Sequence, residues 1–176
     1  MTRRALWMVA VGCLLASAAA RADEQHIAPK AADSPELARI KSLAGRWEGT
    51  AQDGADAPKP AEVDYKVTSG GSAVVETLFP GTPHEMVSVY HDVNGRLAMT
   101  HYCMLGNQPQ LQLAGADSRH IDLSLGDSPG LNAATDQHMH ALTLAWTDPD
   151  HLTQAWTCYQ HGKSDHTSTF TLSRVH

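Results

Sequence analysis

From Arg46 to the C-terminus the chain alternates apolar and polar residues with a period of two, and turn-forming clusters interrupt the alternation about every ten residues. Successive side chains on a strand point to opposite faces, so this is the pattern of half-buried strands joined as hairpins. Strands are predicted at 46–52, 61–68, 72–79, 84–92, 96–104, 109–114, 119–125, 138–147, 152–160 and 166–174. Helical spacing occurs once. Ser34, Pro35 and Glu36 supply an N-cap, a first-turn proline and an acidic first turn, Leu37, Ile40 and Leu43 recur every three to four residues, and Gly45 ends the run. The expected fold is all-β, an antiparallel up-and-down β-barrel of about ten strands behind one short N-terminal helix.

Register decides which side chains share a face. The turns "DVNG" at 92–95 and "DPDH" at 148–151 are expected to close as three-residue loops whose last residue is left-handed. That pairs Val89 with Met99, Val87 with His101 and Glu85 with Cys103. In the second hairpin it pairs Trp146 with Gln154, Leu144 with Trp156, Leu142 with Cys158 and His140 with Gln160. Glu85, His101, Cys103, His138 and His140 then face the interior. A two-residue Asn94-Gly95 turn is the alternative. It pairs Val89 with Thr100 and is expected to turn Thr100 and Tyr102 inward, taking His101 and Cys103 out of the core.

The first residues change the picture of where the chain works. Arg3 and Arg4 precede an apolar run from Ala5 to about Leu15, and Ala20-Arg21-Ala22 has the A-x-A form of a cleavage site. This is the layout of a secretory signal peptide over 1–22, and the run is too short to span a membrane. Cys13 offers a lipoprotein alternative. Residues 23–33 read as an Ala/Pro-rich tether and 34–176 as one barrel domain, periplasmic or secreted. Cleavage removes three of the 13 Lys and Arg and none of the 19 Asp and Glu. So acidic a remainder excludes nucleic acid as a natural partner.

All 11 histidines lie beyond residue 22. Histidine is the commonest metal ligand, and His138-Met139-His140 places two imidazoles on one strand face. With His101 nearby they form a candidate site for zinc or copper. Glu76, Glu85, His101 and Cys103, with the turn amides Asn107 and Gln108, are the candidate contacts of a small-molecule ligand. Polar groups buried unpaired cost kcal/mol each, so several in apolar walls suggest a shared cavity. The segment 126–137 has loop composition and is placed over its opening. Cys103 and Cys158 remain in the mature chain, and an oxidising compartment would permit them to pair.

The stretch "LAGRWEGT" at 43–50, with Gly45-Arg46-Trp47 at the start of the first strand, resembles the opening of lipocalins and related calycin barrels. The segments "SGGSAVVETLFPGTPHEMVSVYH", "LAMTHYCMLGNQP", "DQHMHALTLAW" and "TFTLSR" resemble a group of uncharacterised secreted bacterial lipocalin-like proteins. The resemblance covers roughly 35–175. It implies a ligand-binding barrel with Trp47 buried at the closed end, and it brings no established activity. A His- and Cys-rich interior departs from the uniformly apolar lipocalin cavity. Three functions follow: an exported barrel binding a small molecule with or without a transition metal, a barrel hydrolase or isomerase using Cys103 or His101, and an envelope interaction protein with a filled core.

Overall fold

The computed structural model describes residues 32–176, so the proposed signal peptide and nearly all of the tether lie outside the described residues. The helix α1 (Pro35–Ser42) is followed by ten strands: β1 (Gly45–Asp53), β2 (Lys59–Thr68), β3 (Ala73–Leu78), β4 (Met86–Val93), β5 (Arg96–Tyr102), β6 (Gln110–Ala116), β7 (His120–Leu125), β8 (His138–Asp148), β9 (His151–Gln160) and β10 (Lys163–Arg174). Each strand pairs antiparallel with its neighbours in sequence, and β1 pairs with β10 to close the barrel. All ten expected strands are present. At the closing seam a Cβ on Gly49 would lie 1.9 Å from the Thr171 carbonyl oxygen, so only glycine lets β1 and β10 approach this closely.

Up-and-down topology puts alternate connections at opposite ends of the barrel. One end is plugged by α1. The Ser34 hydroxyl caps the helix through the Leu37 N–H at 3.0 Å and donates to Asp92 at the end of β4 at 2.7 Å. Leu37, Ile40 and Leu43 are buried against Trp47, whose indole N–H donates to the Leu43 carbonyl at 2.8 Å. Arg174 covers the Trp47 ring at 4.4 Å and donates to the carbonyls of Ala44 and Ser42. Arg39 does the same on the far side, over Trp146 at 4.2 Å and on the backbone of the β6–β7 turn.

Both expected registers are corrected. Asn94 and Gly95 have φ of 52° and 75°, the two-residue type I′ geometry whose twist matches that of the flanking strands. Val89 therefore pairs with Thr100, Tyr90 with Met99 and Ser88 with His101. Yet β5 keeps its inward face: Leu97, Met99 and His101 are buried and Tyr102 is exposed. The one-residue slip turns β4 over instead, bringing Ser88 and Tyr90 inward and leaving Glu85 on the surface. Direct partners in an antiparallel pair share a face, and β5 is held by its other neighbour, β6, through Met99–Leu111.

In the β8–β9 hairpin the turn is Pro149-Asp150, with Asp148 paired to His151. Leu144 meets Gln154 and Leu142 meets Trp156. That is a slip of two from the expected pairing, which preserves the face of every residue. A bulge between Met139 and Ala141 breaks the alternation at His140.

Candidate functional site

The end opposite α1 opens into a cavity of about 650 Å³. Its walls are largely apolar: Leu78, Phe79, Met86, Met139, Trp156 and Phe170 contribute, and Phe79 and Phe170 touch at 5.4 Å between ring centroids. Phe79 holds φ of 54°, a left-handed conformation costly for an aromatic residue and of the kind found at functional rims. His101, Cys103, Cys158 and His166 contribute heteroatoms to the wall, and further polar side chains, among them Asp53, Lys59 and Gln137, line it as well.

Beneath the cavity lies a buried polar network. Glu76 is fully enclosed and accepts from Tyr65 Oη at 2.7 Å, Tyr90 Oη at 3.0 Å and Gln154 Nε2 at 2.7 Å. Gln154 Nε2 also donates to the Tyr65 hydroxyl at 2.5 Å, and its Oε1 accepts from the Trp156 indole at 2.9 Å. Burial raises the Glu76 carboxyl above its ordinary range, opposed by hydrogen bonds from Tyr65, Ser88, Tyr90 and Gln154. Burial, then the neighbouring Glu76, raises both tyrosines well above theirs. They stay neutral donors, which an acceptor-only carboxylate requires.

Ser88 links this network to the cavity. Its hydroxyl lies 3.0 Å from His101 Nδ1, and the His101 ring packs on Trp156 at 4.6 Å. Burial lowers the His101 pKa to about 4, so the imidazole is neutral near pH 7. With the Ser88 proton directed to Glu76, the hydroxyl oxygen accepts from Nδ1–H. Among the described residues Nε2 is then left as an acceptor with no hydrogen-bond partner, on a residue that lines the cavity.

The sequence candidates separate into groups. His101 and Cys103 reach the cavity, and Glu76 anchors the network under it. Glu85 does not: it is exposed and accepts from the Gly81 N–H at 2.6 Å. Asn107 ties the β5–β6 loop to the β7–β8 loop through the Gln137 carbonyl at 2.7 Å, and Gln108 is spent on its own turn at Gly106. Of the 126–137 segment, Gln137 lines the cavity.

The three histidines proposed for one metal are not brought together. His138 Nε2 and His140 Nδ1 lie 3.1 Å apart, but they pack on Tyr159, outside the cavity wall that Met139 and Cys158 form. His138 Nδ1 donates to the Asp136 carbonyl at 2.8 Å, so its Nε2 accepts from His140. Burial, then the adjacent His138, lowers the His140 pKa. His101 is inside, on Ser88 and Trp156. Cys103 and Cys158 are both free thiols, raised above their ordinary range by burial, the opposite of an activated nucleophile.

Sequence reasoning missed Tyr65, Ser88, Tyr90, Gln154 and Trp156. A signal was present for some. Gln154 interrupts the alternation Leu152, Trp156, Cys158, and Tyr65 continues Ala61, Val63. A polar group at an inward position implies a buried partner.

No protein-family model matches the chain, and no curated protein matches it in sequence. Solved structures do share its fold. A protein of unknown function from the DUF3598 family of Nostoc punctiforme PCC 73102 superposes with a TM-score of 0.53 at 15% identity, covering 77% of this chain and 49% of that one. The chain thus spans about half the length of that protein. Rv2717c from M. tuberculosis superposes with a TM-score of 0.53 at 15% identity, covering 82% of this chain and 100% of that one. At this identity the likeness concerns the barrel fold alone. Among the described residues no helix is long and apolar enough to cross a membrane.

Proposed function

We propose that this is an exported lipocalin-like barrel that binds a small, mainly apolar molecule carrying one hydrogen-bond donor. The cavity of about 650 Å³ with His101 in its wall carries the reading. Its size falls in the range of small-molecule sites, and most of the surface it exposes is apolar, with the polar side chains set among it. Apolar surface supplies affinity. The unpartnered Nε2 of neutral His101 supplies orientation, and it favours an alcohol or N–H over a carboxylate, whose lone pairs would face its own. Export rests on the arrangement of residues 1–22.

The test uses the full mature chain, with Trp156 fluorescence as the readout. A medium-chain alcohol is expected to bind more tightly than its methyl ether, by roughly two- to tenfold for one net hydrogen bond. His101→Phe should erase that preference while keeping apolar binding, and Met139→Trp should fill the cavity and abolish both. If neither probe binds, the ligand-binding reading is lost; if the ether binds as well as the alcohol, the role of His101 is lost. Mass analysis of the chain expressed with residues 1–22 should give a product beginning at Asp23. An unprocessed cytoplasmic product would remove the export half.

A further inference from the structure

The β9–β10 hairpin holds a second cluster of reactive groups at the cavity rim. Asp165 and His166 would project to opposite faces of a regular strand. A bulge between Ser164 and His166 makes Asp165 an extra residue against β9, with His166 paired to Cys158. As a result one ligand atom from each of Cys158, Asp165 and His166 lies within 4.8 Å of the other two. Among the described residues this is the one such group of three. Bulges recur beside functional sites because they re-aim side chains in this way.

The hydrogen bonding of His166 is a second observation. Its Nδ1 lies 2.9 Å from Asp165 Oδ2 and its Nε2 lies 3.1 Å from Asp53 Oδ1. A neutral imidazole has one N–H and can satisfy only one of these carboxylates. Among the described residues neither aspartate has a Lys or Arg ion-pair partner. The thiol, an imidazole nitrogen and the Asp165 carboxylate therefore face one position, with the Asp53 carboxylate on the far nitrogen of the ring.

We propose that Cys158, Asp165 and His166 bind a divalent transition metal of the zinc class, with Asp53 holding the imidazole from behind. Thiolate, imidazole and carboxylate together select zinc over magnesium or calcium, which take oxygen donors. The ion sits between His166 Nδ1 and Asp165, so that Nε2–H stays on Asp53, the carboxylate–histidine–metal arrangement that fixes ring orientation. The thiol enters as thiolate and its proton leaves to solvent. Zinc bonds of about 2.0–2.3 Å keep tetrahedral donors roughly 3.3–3.8 Å apart, so donor atoms that lie within 4.8 Å of one another need only small shifts, including a widening of the 2.9 Å His166–Asp165 contact that the exposed Asp165 side chain allows. Three protein donors leave a fourth position for water or for a donor atom of the cavity's occupant. The site stands independently of whether an organic molecule fills the cavity.

Chelator-treated full chain titrated with cobalt(II), then zinc(II), tests the site. Wild type should develop a thiolate-to-cobalt charge-transfer band at one equivalent, and zinc should bleach it. Cys158→Ser should abolish the band and Cys103→Ser should keep it. His166→Gln, Asp165→Asn and Asp53→Asn should each weaken zinc binding by about tenfold or more. The double substitution His138→Ala with His140→Ala should leave band and affinity unchanged. Absence of the wild-type band, its survival in Cys158→Ser, or its loss with the His138 and His140 pair would overturn the assignment. Should Cys158→Ser fail to fold by far-UV circular dichroism, exposed Asp165→Asn decides, and unchanged zinc affinity there overturns it.

Discussion

At the end closed by α1, polar groups find partners close at hand: the Trp47 indole meets the Leu43 carbonyl four residues away, and the Ser34 hydroxyl caps its own helix. Toward the open end the barrel encloses a carboxylate, two phenols, an amide and an imidazole whose partners are distant in sequence, Gln154 reaching Glu76 across 78 residues. The plug gains stability from apolar burial, with neutral local hydrogen bonds for the Trp47 indole and the helix cap and with Arg174 tying its rim to the barrel. The interior gains none from its buried charge, since desolvation of Glu76 must be offset by the donors of Tyr65, Ser88, Tyr90 and Gln154. Offsetting that cost takes donors from several strands, which only the closed barrel brings together.

The comparison breaks most sharply if the ends depend on one another. Trp47→Ala empties the plug and is expected to cost about 3–5 kcal/mol in urea unfolding. Alcohol binding by the folded fraction should stay the same. A fall in affinity would mean that the plug shapes the cavity from below.

Glu76→Leu strands the donors of Tyr65, Tyr90 and Gln154 and should cost at least about 3 kcal/mol, at 1–3 kcal/mol for each unsatisfied group. Glu76→Gln keeps an acceptor for Tyr65 and Gln154 while removing the buried charge, and its loss should stay under about 1 kcal/mol. Equal losses in the two variants would show that the charge itself, and not the hydrogen bonding, holds the network.

His101 sharpens the comparison through pH. In the unfolded chain it titrates near 6.5 and in the folded barrel near 4, lowered by burial. Between those values the unfolded chain takes up a proton that the folded one refuses, so stability falls as pH drops through the window. The loss reaches about 3 kcal/mol by pH 4 and is absent above pH 7. Glu76 acts in the opposite sense, because its raised carboxyl is protonated first in the folded state. The readout is therefore the wild-type curve minus that of His101→Gln over pH 4–7. A flat difference would place His101 in contact with solvent.

The smallest effect is at the helix cap. Ser34→Ala removes the bond to the Leu37 N–H and one to Asp92, for an expected loss of about 1–2 kcal/mol. Measured on the same unfolding curves, it should leave both the pH difference at His101 and probe binding unchanged.

Local chemistry was enough to place the elements. Period-two alternation marks every strand because each has one wet and one dry face, and Ser34-Pro35-Glu36 with Leu37 and Ile40 marks the helix because capping and 3.6-residue spacing act within a few residues. The Gly-x-Trp at 45–47 placed the buried tryptophan of the closed end. Register lay at the edge of legibility: Asn-Gly carries the stronger preference for the two-residue turn, and taking the three-residue loop moved Glu85 inside and Ser88 and Tyr90 out.

What the tertiary structure alone decided is convergence. Glu76, Tyr65, Tyr90 and Gln154 sit on four strands, and nothing in their spacing says that closing the barrel through β1 and β10 brings their side chains to one point. The same holds for His138 and His140, which pack on Tyr159 beside a bulge and stay out of the cavity wall, and for Cys158, Asp165 and His166, gathered by another. Alternation fixes which face a residue takes relative to its neighbours on the strand. Bulges and register depend on hydrogen bonds between strands, so they decide what that face meets.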